Sequence, residues 1–130
     1  LIKYIELGNL NAKRDWGHAK DFVEAMWLML QQEKPDDYVI ATSKQYSVRE
    51  LVEQVAKYFD MEISWEGEGM NEVGVNKKTG EKIIKVNPKY FRPTEVDSLL
   101  GDYTKANKIL GWQPKINFEE LVEDMCKHEQ

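Results

Sequence analysis

Two arginines on irregular backbone are the residues of this sequence best suited to binding a ligand. Arg14 lies in the stretch Ala-Lys-Arg-Asp-Trp-Gly-His that begins at Ala12, and Arg92 lies in Phe-Arg-Pro-Thr-Glu. Each stretch comes shortly before a segment of helical character. A planar guanidinium group can donate two parallel hydrogen bonds, which suits it to a diphosphate. We therefore expect the two side chains to close on one pyrophosphate in the folded protein.

Each arginine also has a purely structural alternative. Arg14 can pair with Asp15 or with a glutamate at the surface, an interaction that contributes little to stability. Arg92 can form a local ion pair with Glu95 that only stiffens the turn. Pro93 biases the residue before it toward extended backbone, so Arg92 is the more constrained of the two arginines.

Two further side chains are candidates for nucleotide contacts. Glu95 closely follows Arg92, and its carboxylate can accept hydrogen bonds from both hydroxyls of a ribose. Asn9 can present its amide group to a base or to a sugar. Asparagine is also common in loops for backbone reasons, so both roles stay open for Asn9, and for Asn11 we favour the loop role.

The titratable residues show no catalytic or metal-binding pattern. His18 precedes a helix near Asp15 and Asp21, whereas His128 and Cys126 lie at the far end of the chain. No Cys/His spacing typical of a zinc site is present. We therefore predict no catalytic residue and no metal ligand. We interpret His18 as a structural residue or helix cap, and the single cysteine as a small buried hydrophobic side chain.

Strands and helices that alternate along the chain must position these residues, which indicates an α/β or α+β fold. Ser47 and Glu50 form a capping box at the start of one helix. Apolar periodicity and turn residues predict the remaining elements. The predicted elements are strands at 2–8, 37–42 and 63–65, a hairpin over 73–86, and helices at 19–31, 48–59, 103–110 and after Asn117.

The length of the chain fits one domain, or one lobe of a larger protein. The chain has 130 residues and a formal net charge of −5. That charge argues against a nucleic-acid surface, which needs clustered Lys and Arg. No apolar run approaches the roughly 20 residues that span a bilayer, and the N-terminus does not resemble a signal peptide. Because Leu1 begins directly in strand-like sequence, we expect a chain cut from something longer. The single cysteine allows no internal disulfide, which fits a reducing compartment, and we expect a cytoplasmic protein.

Several segments closely resemble the C-terminal region of the GDP-mannose 4,6-dehydratase family. The most specific is Leu-Gly-Asn-Leu-Asn-Ala-Lys-Arg-Asp-Trp-Gly-His from Leu7, with the helix-like sequence that continues it to Trp27. An Arg-Asp before a helix and an Arg-Pro followed by an acid recur across the extended short-chain dehydrogenase superfamily. The other matching segments are 39–42, 46–49, 90–97, 101–106 and 110–112.

The resemblance implies an α/β fold in which residues 1–130 form the C-terminal substrate-binding lobe of an extended short-chain dehydrogenase, without its Rossmann domain. Arg14 and Arg92 then match the arginines that hold the diphosphate of the nucleotide sugar. Glu95 matches the acid that accepts the ribose hydroxyls. Asn9 lies in the loop that faces the nucleotide.

The resemblance also implies an activity for the intact enzyme. That enzyme is an NADP-dependent lyase that converts GDP-mannose to GDP-4-keto-6-deoxymannose, the precursor for GDP-fucose. The family's glycine-rich cofactor loop and its catalytic Thr, Glu, Tyr and Lys have no counterpart in this sequence. We therefore expect NADP to bind the missing Rossmann domain, the intact enzyme to be a homo-oligomer, and this chain alone to be inactive.

Two other functions remain open at the level of sequence. The chain can be the substrate lobe of another nucleotide-sugar epimerase or reductase, because the upstream catalytic residues decide between these reactions. It can also be a non-catalytic interaction module.

Overall fold

A computed structural model describes residues 3–92 and 94–128 of the chain. It divides into two compact units, each built from two stretches of sequence. Unit 1 contains the residues up to Ala12 and Ser47–Asp97, and unit 2 contains Lys13–Tyr46 and the residues from Ser98 onward. The assignment of residues 1–130 to a single substrate-binding lobe stays a prediction.

The regular elements are short, apart from three helices. The strands are β1 (Ile5–Leu7), β2 (Lys13–Arg14), β3 (Tyr46–Ser47), β4 (Ile63–Glu66), β5 (Val73–Asn76) and β6 (Lys82–Val86). The helices are α1 (Ala19–Leu30), α2 (Val48–Tyr58), α3 (Thr104–Leu110) and α4 (Phe118–His128), with a 3-10 turn at Gly69–Asn71. The mixed α/β fold predicted from the sequence is confirmed.

Unit 1 is a four-stranded sheet covered by α2. The strand order is β1-β6-β5-β4, with β4, β5 and β6 antiparallel and β1 parallel to β6. The predicted hairpin is therefore confirmed, and its turn includes Gly80 at φ 74°. The strand predicted from residue 2 is confined to Ile5–Leu7, and Ile2 lies outside the described residues.

The capping box at the start of α2 is formed as predicted. The Glu50 N–H donates to Ser47 Oγ at 3.1 Å, and the Ser47 N–H donates to Glu50 Oε2 at 2.6 Å. The helix turns Leu51, Val55 and Phe59 toward an apolar cleft of about 500 Å³ that the sheet also lines. The sequence pattern thus identified both the start of α2 and its apolar face.

Unit 2 is built around the contact between α1 and α3. Ala25, Ala106 and Trp112 are almost completely buried there, and the indole N–H of Trp112 donates to the Asp21 carbonyl at 2.8 Å. Gly111 ends α3 in the left-handed conformation at φ 68°, as its position after the apolar run indicates. These contacts bury the face of α1 that carries Ala25.

The strand predicted over residues 37–42 is wrong. Tyr38 and Ile40 pack against the core of unit 2 and Ala41 is buried, but Val39 is 55% exposed. Within the described part of the chain this segment pairs with no neighbouring strand. An apolar run becomes a strand only where a second backbone supplies hydrogen bonds, and none does so here.

Candidate functional site

Arg14 lies in β2, where a neighbouring segment of the chain holds the backbone. The Lys13 carbonyl accepts a hydrogen bond from the Leu99 N–H at 3.3 Å, and Lys13 forms a parallel bridge with Ser98. The Arg14 side chain is half-buried, and its Nη1 donates to the Lys13 carbonyl at 2.8 Å. Arg14 therefore belongs to an anchored segment of unit 2, and its guanidinium group lies against the carbonyl of the preceding residue.

The carboxylate of Asp15 binds the segment at Thr42 and Ser43. It accepts the Thr42 N–H at 3.0 and 3.1 Å, the Thr42 hydroxyl at 2.6 Å and the Ser43 N–H at 2.9 Å. Hydrogen bonds to an ionised carboxylate are the stronger kind. The surface pair of Arg14 with Asp15 that the sequence left open is therefore not the main role of this carboxylate.

Trp16 and Gly17 are also engaged in packing. The Trp16 ring stacks on Phe118 with centroids 6.0 Å apart, and Phe118 stacks on Tyr46 at 4.0 Å. Gly17 lies so close to Phe22 that a Cβ at this position would overlap the ring. These two residues of the motif thus join the start of α1 to the aromatic side chains of unit 2.

His18 caps α1, in agreement with its interpretation as a structural residue or helix cap, and it also contacts α4. Its Nδ1 accepts the Lys20 N–H at 3.1 Å, and its Nε2 lies 3.0 Å from Oδ2 of Asp124. Because Nδ1 accepts from a backbone N–H, the proton of the neutral ring belongs on Nε2, which donates to the carboxylate. Both ring nitrogens are therefore occupied by hydrogen bonds within unit 2.

In unit 1, the loop after β1 holds Asn9 and Asn11 in different ways. The side-chain oxygen of Asn9 accepts the Asn11 N–H at 2.9 Å, so the NH2 group is what Asn9 can offer to a ligand. The side-chain oxygen of Asn11 accepts a hydrogen bond from Arg49 Nη1 at 2.7 Å. The loop role favoured for Asn11 agrees with this contact.

The ion pair that supports this loop was not recognised in the sequence. Arg49 donates to both carboxylate oxygens of the buried Glu72, with three distances between 2.7 and 3.1 Å. Its guanidinium also lies 5.4 Å from the centre of the Trp65 ring. Nothing in the spacing of these residues indicates that they meet, because α2 and the turn at Gly69–Asn71 approach each other only in the fold.

Asn9 and Arg92 follow the carboxyl ends of neighbouring parallel strands. Asn9 comes just after β1, and the segment from Asn87 to Arg92 follows β6. The Asn87 N–H donates to the Leu7 carbonyl at 2.9 Å, and this hydrogen bond joins the ends of the two strands. In α/β proteins, ligands bind beyond the carboxyl ends of parallel strands, so this edge is a favourable place for both residues.

The predicted site residues are divided between the two units. Arg92 is exposed and Glu95 is half-buried in unit 1, where Asn9 also lies, and Pro93 falls outside the described residues. Arg14 belongs to unit 2. The closure of both arginines on one diphosphate stays a prediction, as do the nucleotide contacts of Glu95 and Asn9.

The described ranges 3–92 and 94–128 contain no group of three His, Cys, Asp or Glu side chains that could hold a metal ion. In the same ranges no helix is long and apolar enough to cross a membrane. Cys126 is buried, and this burial raises the pKa of its thiol. Its interpretation as a small hydrophobic side chain agrees with that position.

Comparison with known proteins identifies the relatives of this chain. The family model described as GDP-mannose 4,6 dehydratase matches residues 2–125. A GDP-mannose 4,6 dehydratase of Drosophila melanogaster is 61% identical over 97% of this chain and 32% of its own length. The Homo sapiens protein of the same name is 56% identical over 95% of this chain and 33% of its own length. The chain therefore spans about a third of the curated relatives that it matches.

The fold is shared with more distant proteins. The structure of RMD from Pseudomonas aeruginosa, complexed with NADPH, is similar with a TM-score of 0.72 and 17% identity. The similarity covers 98% of this chain and 36% of that one. The named relatives favour neither of the alternatives that the sequence left open, another nucleotide-sugar enzyme or a non-catalytic module.

Proposed function

Because this chain belongs to the GDP-mannose 4,6-dehydratase family, we propose that it is the nucleotide-sugar binding part of an enzyme that converts GDP-mannose to GDP-4-keto-6-deoxymannose. The observation that carries the proposal is the 61% identity over 97% of the chain to a protein of that name. Because the chain spans about a third of that relative, we assign the other functions of the enzyme to the rest of a longer polypeptide.

The diphosphate of the substrate is bound by Arg14 and Arg92. Arg14 extends from a segment whose neighbours, Asp15 to His18, are all engaged in contacts within unit 2. Arg92 is exposed beyond the carboxyl end of β6. A hydrogen bond to a charged group contributes about 1.5–3 kcal/mol, so each arginine contributes a substantial part of the binding energy.

The nucleoside is bound by Glu95 and Asn9. The half-buried carboxylate of Glu95 accepts the two ribose hydroxyls, and the Asn9 NH2 group donates to the base or the sugar. Asn9 is already held by its hydrogen bond to the Asn11 N–H, which lowers the entropy that it loses on binding. This part of the protein therefore positions the substrate and supplies no proton transfer of its own.

NADP does not fit the residues of this chain. No Gly-x-Gly-x-x-Gly sequence is present, and no tyrosine is followed four positions later by a lysine. We therefore assign NADP binding and the catalytic residues to a Rossmann domain elsewhere in the longer polypeptide, and we expect this chain alone to be inactive. The complete enzyme is proposed to be a cytoplasmic, homo-oligomeric lyase that supplies GDP-fucose synthesis.

The exposed face of α1 supports the existence of that additional domain. Val23, Met26, Trp27 and Leu30 recur at helical spacing and are between 59% and 82% exposed. The opposite face of α1 packs on the core of unit 2 through Ala25. A helix that is apolar on both faces needs a partner on each, and about two thirds of each relative's length lies beyond the match. We assign this face to contact with the Rossmann domain.

Steady-state kinetics of the complete enzyme test the proposed function. Arg14→Ala and Arg92→Ala should each raise KM for GDP-mannose about ten- to hundredfold, since 1.5–3 kcal/mol corresponds to that range. The KM for NADP should stay unchanged, because neither arginine contacts the cofactor. An arginine whose replacement leaves the kinetics normal has only a structural role.

A further inference from the structure

We propose that Asp15 is a positioning residue for nucleotide-sugar binding, acting through Arg14. This inference rests on the function proposed above. It adds a residue that does not touch the substrate and whose carboxylate fixes the place from which the guanidinium reaches it.

Asp15 is held by a set of hydrogen bonds. Its two carboxylate oxygens receive three donors, the N–H and hydroxyl of Thr42 and the N–H of Ser43. The Thr42 hydroxyl is 2.6 Å from Asp15 and 3.3 Å from the Lys44 carbonyl, so its single proton goes to the carboxylate. Asp15 is thereby held by three fixed donors, which leaves its carboxylate little freedom of rotation.

The segment that binds Asp15 has an unusual backbone conformation at Ser43. Ser43 has φ 57°, in the left-handed region that residues other than glycine adopt rarely. The Asp15 carboxylate accepts the N–H of this same residue at 2.9 Å. Strained backbone of this kind persists where surrounding contacts enforce it, and it is concentrated at functional sites. Asp15 thus holds Ser43 in its conformation, and Ser43 in turn holds Asp15.

Arg14 lies between two anchored residues, Lys13 and Asp15. On one side, Lys13 is fixed by its hydrogen bond from the Leu99 N–H and its bridge to Ser98. On the other side, Asp15 is fixed by Thr42 and Ser43. Because β2 ends at Arg14, the capture of Asp15 fixes the backbone immediately after the arginine. Loss of the carboxylate releases one of the two anchors.

The chain provides a matched control in Asp21. This buried carboxylate also accepts two backbone N–H groups, those of Lys115 and Ile116, each at 3.0 Å. It belongs to the same unit but lies within α1, away from the arginine segment. Asp21→Ala therefore removes the same kind of hydrogen bonds without releasing an anchor of Arg14.

The experiment compares kinetics and thermal stability of the complete enzyme. Asp15→Ala should raise KM for GDP-mannose about tenfold with kcat changed less than about twofold, because it weakens substrate binding without touching the chemistry. Asp15→Asn, which keeps one acceptor oxygen, should give an intermediate KM. Asp21→Ala should lower the melting temperature and leave KM unchanged. The double variant Arg14→Ala/Asp15→Ala should have the KM of Arg14→Ala, because both changes act through one contact.

The outcomes separate this inference from the proposed function. If Arg14→Ala itself leaves KM unchanged, the binding role of Arg14 is wrong. If Arg14→Ala raises KM and Asp15→Ala only lowers the melting temperature, as Asp21→Ala does, the positioning role alone is wrong. Should Asp15→Ala fail to fold, Thr42→Val removes the hydroxyl donor and keeps the carboxylate. An unchanged KM for that variant and for Asp15→Asn overturns the inference equally.

Discussion

The imidazole of His18 links two helices of unit 2 by donating from Nε2 to Oδ2 of Asp124 across 3.0 Å, while its Nδ1 caps α1. The hydrogen bond from His18 holds the pKa of Asp124 below its ordinary value, against a smaller opposite effect of desolvation. The charge of Lys20 lowers the pKa further. This pair therefore makes part of the stability of unit 2 dependent on pH.

The pH dependence has a definite sign. The pKa of Asp124 is lower in the folded state, so the unfolded state binds more protons and stability rises with pH across this range. The contribution is fully present above roughly pH 4, the ordinary pKa of an aspartate, and is lost as the pH falls through the folded value. Asp124→Asn, which keeps an acceptor but cannot ionise, should be less stable than the parent at pH 5.5, and this difference should shrink as the pH falls toward 3.

Urea unfolding followed by tryptophan fluorescence, measured between pH 3 and pH 5.5, checks this prediction. Glu123→Gln is the matched control, because it removes a neighbouring carboxylate whose partner is Lys127 at the surface of α4. A stability difference for Asp124→Asn that stays constant down to pH 3 would show that the carboxylate is not the titrating group.

The isolated chain should bind GDP-mannose weakly and should not convert it. Two arginine contacts supply roughly 3–6 kcal/mol, before the cost of ordering the ligand and the side chains. A millimolar dissociation constant corresponds to about 4 kcal/mol. We therefore expect calorimetry to give a Kd in the millimolar range or weaker, with no product when NADP is added. The variant Arg14→Ala/Arg92→Ala serves as the control without the clamp. Micromolar binding, or dehydratase activity of the chain alone, would contradict the division of roles proposed here.

The exposed face of α1 should cause the chain to associate when it is separated from the rest of the polypeptide. Replacing Trp27 and Leu30 together by Gln removes two large apolar side chains from this face and should reduce concentration-dependent association in sedimentation experiments. Ile109→Gln, which alters a half-exposed apolar residue of α3, should have little effect. In the complete enzyme the double variant should lower the melting temperature, because the lost contact is then internal. The assignment fails if the double variant changes neither measurement.

Local signals in the sequence predicted the elements well. The capping box at Ser47, the reciprocal hydrogen bonds between Asn117 and Glu120, and the left-handed Gly111 each depend on residues within one turn of helix. Such signals act over a few positions, so one sequence is enough to read them. The hairpin over β5 and β6 was predicted for the same reason.

Contacts between distant residues escaped prediction. The bond of His18 to Asp124 and that of Arg49 to Glu72 join separate elements, and no spacing rule connects them. The apolar run at 37–42 was misjudged because a strand is defined by a neighbour, and a single sequence does not state which neighbour is present. For the site, residue type and motif indicated Arg14 and Arg92, whereas the supporting role of Asp15 emerged only from its contacts.

Gly8 limits how the backbone beyond the carboxyl ends of β1 and β6 can change. A methyl group at this position would overlap the Tyr90 carbonyl oxygen, so even alanine would push the two backbones apart. Asn9 is the next residue on one side of this contact, and Arg92 follows two positions after Tyr90 on the other. Evolution therefore cannot reshape the loop of Asn9 and the segment of Arg92 independently, because an insertion or a bulkier residue in one must be accommodated by the other.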